Sequence, residues 1–166
     1  MMSKSKRVIG LLMVMILTVS MLAACGGKTS TSGSKEYEFT YKDQTVTIHS
    51  EAKKFLEKAG TPKETKKTAS CAYDGFDRTY VFDDFTVYTY SKTKAGEEYI
   101  NSITLTSDKV ETKEKLKIGG SDKDMEKAYG TSKGKFGVFT YTKGKTKMVI
   151  ELDDSNKVIS IQYMEK

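Results

Sequence analysis

Apolar positions along the chain fall into three regimes. From 8 to 24 they are nearly continuous. From 26 to 35 (GGKTSTSGSK) there are no large ones. From Tyr37 onward they recur with the spacing of a helix face or of a strand face. Helical spacing occurs twice. Ala52, Phe55, Leu56 and Ala59 stand at i, i+3, i+4 and i+7, and Met125, Ala128 and Tyr129 at i, i+3 and i+4. Ser50 and Ser121 are placed to cap the two helix starts. Gly60 and Gly130 can take the left-handed conformation that ends a helix, and Pro62 follows the first stop.

Strand spacing fills the rest. Alternation predicts strands over 79–82, 85–90, 99–106, 136–142, 147–152 and 158–163. Asp83-Asp84, Lys143-Gly144-Lys145 and Asp154-Ser155-Asn156 supply turns. Residues 37–48 read as a further hairpin turning at Lys42-Asp43. The helix segments also repeat, since 46–61 lie over 116–131 without a gap. Ile48 then meets Ile118, Phe55 meets Met125, and Gly60 meets Gly130. The expected fold is therefore α+β. It consists of two tandem repeats, 37–107 and 108–166, each a short helix packed on a three- to four-stranded antiparallel sheet. The first copy carries an insertion around Cys71, between its helix and its first strand.

The N-terminus adds a location. Lys4, Lys6 and Arg7 precede the apolar run, which closes in Leu22-Ala23-Ala24-Cys25. This resembles the lipobox of bacterial lipoproteins. The resemblance implies cleavage between Ala24 and Cys25 and a diacylglyceryl group on Cys25. The membrane is then a partner, and the protein is extracytoplasmic and lipid-anchored, in a Gram-positive cell. The rival, an uncleaved spanning helix, sits at the short limit of the roughly 17–25 residues such a helix needs. Residues 1–24 are thus read as signal peptide, 25–36 as a flexible tether, and 37–166 as the globular domain.

Charge narrows the partners. The chain has 28 Lys and Arg against 22 Asp and Glu. The leader removes three cations and no acid, leaving 25 minus 22, or +3, which does not suggest nucleic acid. Lys53, Lys54, Lys58, Lys63, Lys66 and Lys67 read as a solvated helix face, with attraction to anionic headgroups or wall polymers as the other reading. With Cys25 lipidated, Cys71 is the remaining thiol. Its small and aromatic neighbours (Ser70, Ala72, Tyr73) read as those of a buried small hydrophobe.

Catalytic chemistry has little to work with. His49 is the only histidine, and any Ser-His-Asp or Cys-His arrangement would have to use it. It stands just before the first predicted helix, a placement that reads as accidental. One histidine and one free cysteine do not make a zinc site. Asp74, Asp77, Asp83 and Asp84, and the turn at 153–156, lack calcium-loop spacing and read as turn chemistry. Gly119-Gly120 lacks the phosphate-loop lysine. No catalytic residue, metal or cofactor is expected.

Aromatics crowd the first copy: Tyr73, Phe76, Tyr80, Phe82, Phe85, Tyr88, Tyr90 and Tyr99. Alternation sends Phe85 and Val87 one way and Tyr88 and Tyr90 the other. The more apolar pair should face the helix, making Tyr88 and Tyr90 the candidate binding surface.

Ile118-Gly119-Gly120-Ser121, followed by Met125, Tyr129 and Gly130, resembles the helix of small envelope lipoproteins, including the outer-membrane-assembly family called SmpA or BamE. The doubled unit resembles the β-lactamase inhibitory protein fold. The segment 71–80 resembles lipoproteins of Gram-positive bacteria with the same doubled layout. The first copy departs from the pattern, with His49-Ser50 in place of the glycine pair and Ala59 before Gly60. No inhibitory loop carries over. The resemblance implies protein binding by a sheet. The expected function is a non-enzymatic binding module for another envelope protein, with a small ligand or cell-wall fragment in a groove between repeats as the alternative.

Overall fold

The computed structural model describes residues 35–166. The expected signal peptide, the expected cleavage and lipidation site at Ala24 and Cys25, and most of the expected tether lie outside the described residues. In chain order the elements are β1 (Phe39–Tyr41), β2 (Gln44–Val46), α1 (Lys53–Ala59), β3 (Glu64–Ala69), β4 (Phe76–Val81), β5 (Phe85–Ser91), β6 (Glu98–Leu105), α2 (Asp122–Tyr129), β7 (Val138–Lys143), β8 (Thr146–Leu152) and β9 (Val158–Glu165).

Two tandem helix-on-sheet repeats are not what these elements build. One antiparallel sheet of seven strands runs β3-β4-β5-β6-β9-β8-β7, and β1-β2 form a separate small hairpin. The expectation fails at β6 and β9. Each would have been the edge of its own sheet. Instead they pair with each other, Ser102 opposite Met164 and Leu105 opposite Ile161. An unpaired edge leaves a row of backbone donors and acceptors open, and mutual pairing removes two such edges.

Side-chain alternation gives the sheet one dry face. Phe85, Leu105 and Ile161 lie in register across β5, β6 and β9, as do Val87, Ile103 and Tyr163. All six are at most 2% exposed. The two helices and the hairpin contribute Phe55, Met125, Phe39 and Val46 to the same core. Phe39 sits at its centre, 5.9 Å from Phe55, 5.3 Å from Phe85 and 5.8 Å from Tyr163 between ring centroids. These are the tilted and edge-on geometries that aromatic rings prefer.

The helix ends follow local rules, with one correction. Ser121 caps α2, its Oγ accepting from the Asp124 N–H at 3.2 Å while Asp124 Oδ2 accepts from the Ser121 N–H at 2.8 Å. Ser50 does not cap α1. The helix starts after Ala52 with no side-chain cap, and Ser50 Oγ instead donates to the Thr47 carbonyl at 2.8 Å in the preceding turn. Gly60 and Gly130 end the helices at φ 98° and 84°, with ψ near ±180°, a region that only glycine enters freely.

Removing the α2 cap gives a modest, pH-dependent loss. Ser121→Ala should cost about 1 kcal/mol. Donors from the Ser121 backbone and side chain hold the Asp124 carboxyl below its ordinary 3.8. The Asp124 carboxylate's part of the cap is therefore whole above that value and fades as pH falls through the folded-state one. Thermal midpoints of wild type and Ser121→Ala should draw closer in acid without meeting, because the bond from Asp124 N–H to Ser121 Oγ does not titrate.

β3 is the element that the sequence concealed. All six of its residues are exposed. Lys63, Lys66 and Lys67 are thus not on a helix face. Lys66 pairs with Glu64 at 3.3 Å, Lys67 Nζ lies 3.7 Å over the Phe76 ring, and Lys63 pairs with Asp83. Charged side chains on an outermost strand discourage further pairing.

Candidate functional site: a tyrosine groove on the open face

The second face of the sheet has no helix over it. Tyr88 is in register with Thr79 and Ser102, and Tyr90 with Asp77 and Tyr99. Tyr88 is 37% exposed and Tyr90 half-buried, while Phe85 and Val87 point into the core. The two tyrosines therefore lie on the face that alternation assigned them.

Tyr90 is fixed from three sides. Tyr73 stacks on it at 5.2 Å and 19°. Tyr99 leans on it at 5.6 Å, and the His49 ring meets it edge-on at 5.8 Å. His49 Nδ1 lies 3.1 Å from the Tyr90 hydroxyl, and Nε2 lies 3.4 Å from Glu165 Oε2. One proton arrangement serves both contacts: Nε2–H donates to Glu165 and Nδ1 accepts from the Tyr90 O–H. A groove of about 430 Å³ opens beside this cluster, lined among others by Cys71, Tyr73, Asp77, Tyr88 and Asn101.

Local folding explains how these residues meet. His49 has a left-handed φ of 67°, and its N–H donates to the Ile100 carbonyl at 2.7 Å, holding the turn before α1 against β6. The loop 70–75 is pinned by Ser70 N–H to the Gly75 carbonyl at 3.1 Å and by Phe76 N–H to Ser91 Oγ at 3.0 Å. Gly75 is required there. A Cβ at that position would stand 1.9 Å from the Ser91 carbonyl oxygen.

Cys71 is exposed, which overturns the buried reading. Its neighbours in sequence are apolar, but the pinned loop carries it along the groove wall rather than into the core. A thiol reagent should label native Cys71 at nearly the rate seen after denaturation, and slow labelling would contradict the exposed loop.

His49 stands between the Tyr90 hydroxyl and the Glu165 carboxylate. Burial holds the Tyr90 hydroxyl above its ordinary titration range, with smaller contributions from Tyr73, Tyr99 and Glu165. At neutral pH the hydroxyl therefore carries its proton, which in this arrangement it donates to His49 Nδ1. What the groove offers is a rigid aromatic surface with polar groups at its rim. The aspartates do not converge, because Asp77 lines the groove while Asp83 and Asp84 form the turn at the other end of β5. Among the described residues, no group of three or more His, Cys, Asp and Glu comes together as a metal site.

His49, Tyr73, Tyr99 and Glu165 went unnoticed in the sequence as members of one site. No local signal could have joined them, because Glu165 reaches His49 only through the pairing of β9 with β6.

No protein-family model matches the chain, and no curated protein matches its sequence. Among solved structures it is similar to a cysteine-rich secretory protein from Staphylococcus aureus subsp. aureus Mu50. That match has a TM-score of 0.51 and 16% identity, over 72% of this chain and 44% of that one. An extracellular protein containing an SCP domain from Bacillus anthracis str. Ames matches with a TM-score of 0.42 and 15% identity, over 76% of this chain and 48% of that one. The chain thus spans less than half the length of either. The first likeness is one of fold. That protein is described as secretory.

Proposed function

We propose that the chain is a lipid-anchored, extracytoplasmic, non-enzymatic binding module that recognises another envelope protein through the open face of its sheet. The observation that carries the reading is the tyrosine groove. Tyr73, Tyr88, Tyr90 and Tyr99 gather on a face that no helix covers, and Tyr90 is held in place before any partner arrives. Tyrosines are favoured contact anchors because the ring buries while the hydroxyl still finds a partner. Ordering them in advance lowers the entropy lost on binding.

The test is crosslinking in intact cells. Tyr73→Ala with Tyr88→Ala should abolish recovery of the partner protein. Both side chains are exposed, so the fold should survive, the loss being about 1–2 kcal/mol with the Tyr73–Tyr90 stack included. A second reading, a cell-wall fragment in the groove, is favoured by the groove's volume and by Asp77 and Asn101 at its rim. Wall fragments crosslinked in place of protein would select it. The anchor is tested separately. Cys25→Ser should leave precursor or shed protein, and unchanged membrane retention and mature mass would remove the anchor from the proposal.

A further inference from the structure

We infer that the tyrosine groove is a seat for a cationic side chain, the ammonium or guanidinium group of a lysine or arginine that the partner protein inserts. The inference rests on the reading of the open face as a protein-binding surface, and adds the chemistry of the group that is bound.

Three groups offer lone pairs to the groove. Asp77 stands on β4 directly across from Tyr90. It is half-buried, and among the described residues no hydrogen bond or ion pair reaches its carboxylate. A carboxylate partly withdrawn from water without a donor is unfavourable, and a cation beside it offsets that penalty. Glu165 is the second. His49 Nε2–H donates to its Oε2 at 3.4 Å, and the side chain is 65% exposed, so lone pairs remain for another donor. The Tyr90 hydroxyl is the third. Its hydrogen goes to His49 Nδ1, which leaves it acceptor capacity alone. All three line the same cavity of about 430 Å³.

The rings act in the same sense, because the face of an aromatic ring carries partial negative charge and attracts cations. Tyr73 and Tyr88 are the lining tyrosines with most surface left to cover. Thr79 faces Tyr88 and Asp77 faces Tyr90, so Asp77 and Tyr88 are diagonal neighbours across the β4–β5 pair. Such neighbours stand about 7–8 Å apart, within reach of one cation lodged between them.

Among the described residues, no cation of the fold takes this place. No lysine lines the groove. Arg78 follows Asp77 along β4 and so points to the covered face, where Glu98 holds its guanidinium at 2.8 Å. Both ring nitrogens of His49 are engaged by Tyr90 and Glu165. Lys66, opposite Thr79, pairs with Glu64 at 3.3 Å. Lys92 Nζ lies 5.9 Å over the ring of Tyr99, which is not part of the lining. Lys147 is three strands from Tyr88, across Ser102 and Met164, or about 14 Å. An acidic side chain entering the groove would face two carboxylates, and an apolar one would leave Asp77 without a donor. A lysine or arginine lays its alkyl stem along the tyrosine rings and carries its charge to Asp77.

The full-length lipidated chain in detergent micelles, isotope-labelled at its tyrosines, tests the seat by nuclear magnetic resonance. The probes are capped tripeptides with arginine, citrulline or glutamate between two glycines. Citrulline keeps the shape of arginine without its charge. The arginine peptide should shift the Tyr73 and Tyr88 ring signals saturably, and bind about tenfold more tightly than the citrulline peptide. The glutamate peptide should leave both signals in place. Asp77→Asn, which keeps the size and removes the charge, should cut the preference for arginine to about twofold, the part due to the rings. Equal binding of the arginine and citrulline peptides to the wild-type chain would overturn the inference, and that comparison does not depend on how well the variant folds. An unchanged preference in folded Asp77→Asn would overturn it as well. Partner recovery by crosslinking, found together with equal binding of the two peptides, would remove the cationic seat and leave protein recognition standing, so the two failures are distinct results.

Discussion

Phe85→Ala should destabilise the domain by about 3–5 kcal/mol, the range for deleting a buried phenylalanine and leaving a cavity. Phe85 is 1% exposed, and four other rings converge on it. Centroid distances are 4.8 Å to Tyr41, 5.0 Å to Phe82, 5.3 Å to Phe39 and 5.9 Å to Phe55. Those rings come from the β1–β2 hairpin, the β4–β5 turn and α1, so one truncation loosens three contacts between the sheet and its cover. A domain of this size has a total stability of about 5–15 kcal/mol, so the loss is a large fraction of the whole. Urea denaturation measures the loss. Tyr88→Ala, one strand position beyond Val87 and so on the opposite face, should shift the midpoint little. A Phe85→Ala cost below about 1 kcal/mol would mean that the hairpin and α1 do not close over the sheet as described.

Glu98→Ala carries the next largest effect. Its carboxylate accepts from Arg78 Nη1 at 2.8 Å, from the Tyr80 hydroxyl at 2.9 Å and from Thr89 Oγ1 at 3.1 Å. Both charged side chains of the Arg78–Glu98 pair are 19% exposed. Removing one partner of a fully buried pair costs about 3–5 kcal/mol, and partial exposure lowers the expectation here to roughly 2–3 kcal/mol. The same carboxylate gives an optical signature. Burial, then the hydrogen bond to Glu98 and its charge, push the Tyr80 hydroxyl up to about 12. Its folded-state value lies above the unfolded one, so its contribution is whole below the ordinary tyrosine value near 10 and is lost as pH rises from there to about 12. Tyr129 and Tyr163 are shifted in the same direction by burial. The domain should therefore unfold on the alkaline side, followed by tyrosinate absorbance. Glu98→Gln should bring the Tyr80 titration down while the other tyrosines stay in place.

Local pattern carried much of this fold. The Ser121 cap, the Asp83-Asp84 turn and the Lys42-Asp43 turn each depend on residues within a few positions of one another. Lys42 and Asp43 both take positive φ, 45° and 63°, as a two-residue hairpin turn requires. Alternation likewise separated Phe85 and Val87 from Tyr88 and Tyr90, because one buried face suffices to set the register. β3 was illegible for the converse reason. Its sequence, ETKKTA, has no apolar face, because nothing covers it on either side. The count of sheets was also beyond local reading. A strand with one dry face looks the same whether its edge meets solvent or a strand from far along the chain. The groove inherits that difficulty, since it takes Tyr73 from a loop, Tyr90 from β5, His49 from the turn before α1 and Glu165 from β9. Cys71 shows the limit of composition as a guide to burial. Its neighbours match those of a core cysteine, but the pinned glycine loop decides where they go.

The interior position of β9, between β6 and β8, bears on the order in which the domain assembles. β9 pairs with β6 on one side and β8 on the other, and it supplies Val158, Ile161 and Tyr163 to the core. Until it arrives, β6 and β8 each present an open edge, and the apolar face beneath the helices is split in two. Contacts between segments so distant in sequence form late and slowly, because a long loop must close before they stabilise anything. A chain threaded through a membrane N-terminus first would thus emerge with α1 and most of its strands outside and no means of closing its core until β9 follows. During that interval its open edges are exposed to pairing with other chains. Export of this domain is therefore a race between translocation of its final strand and association with its neighbours.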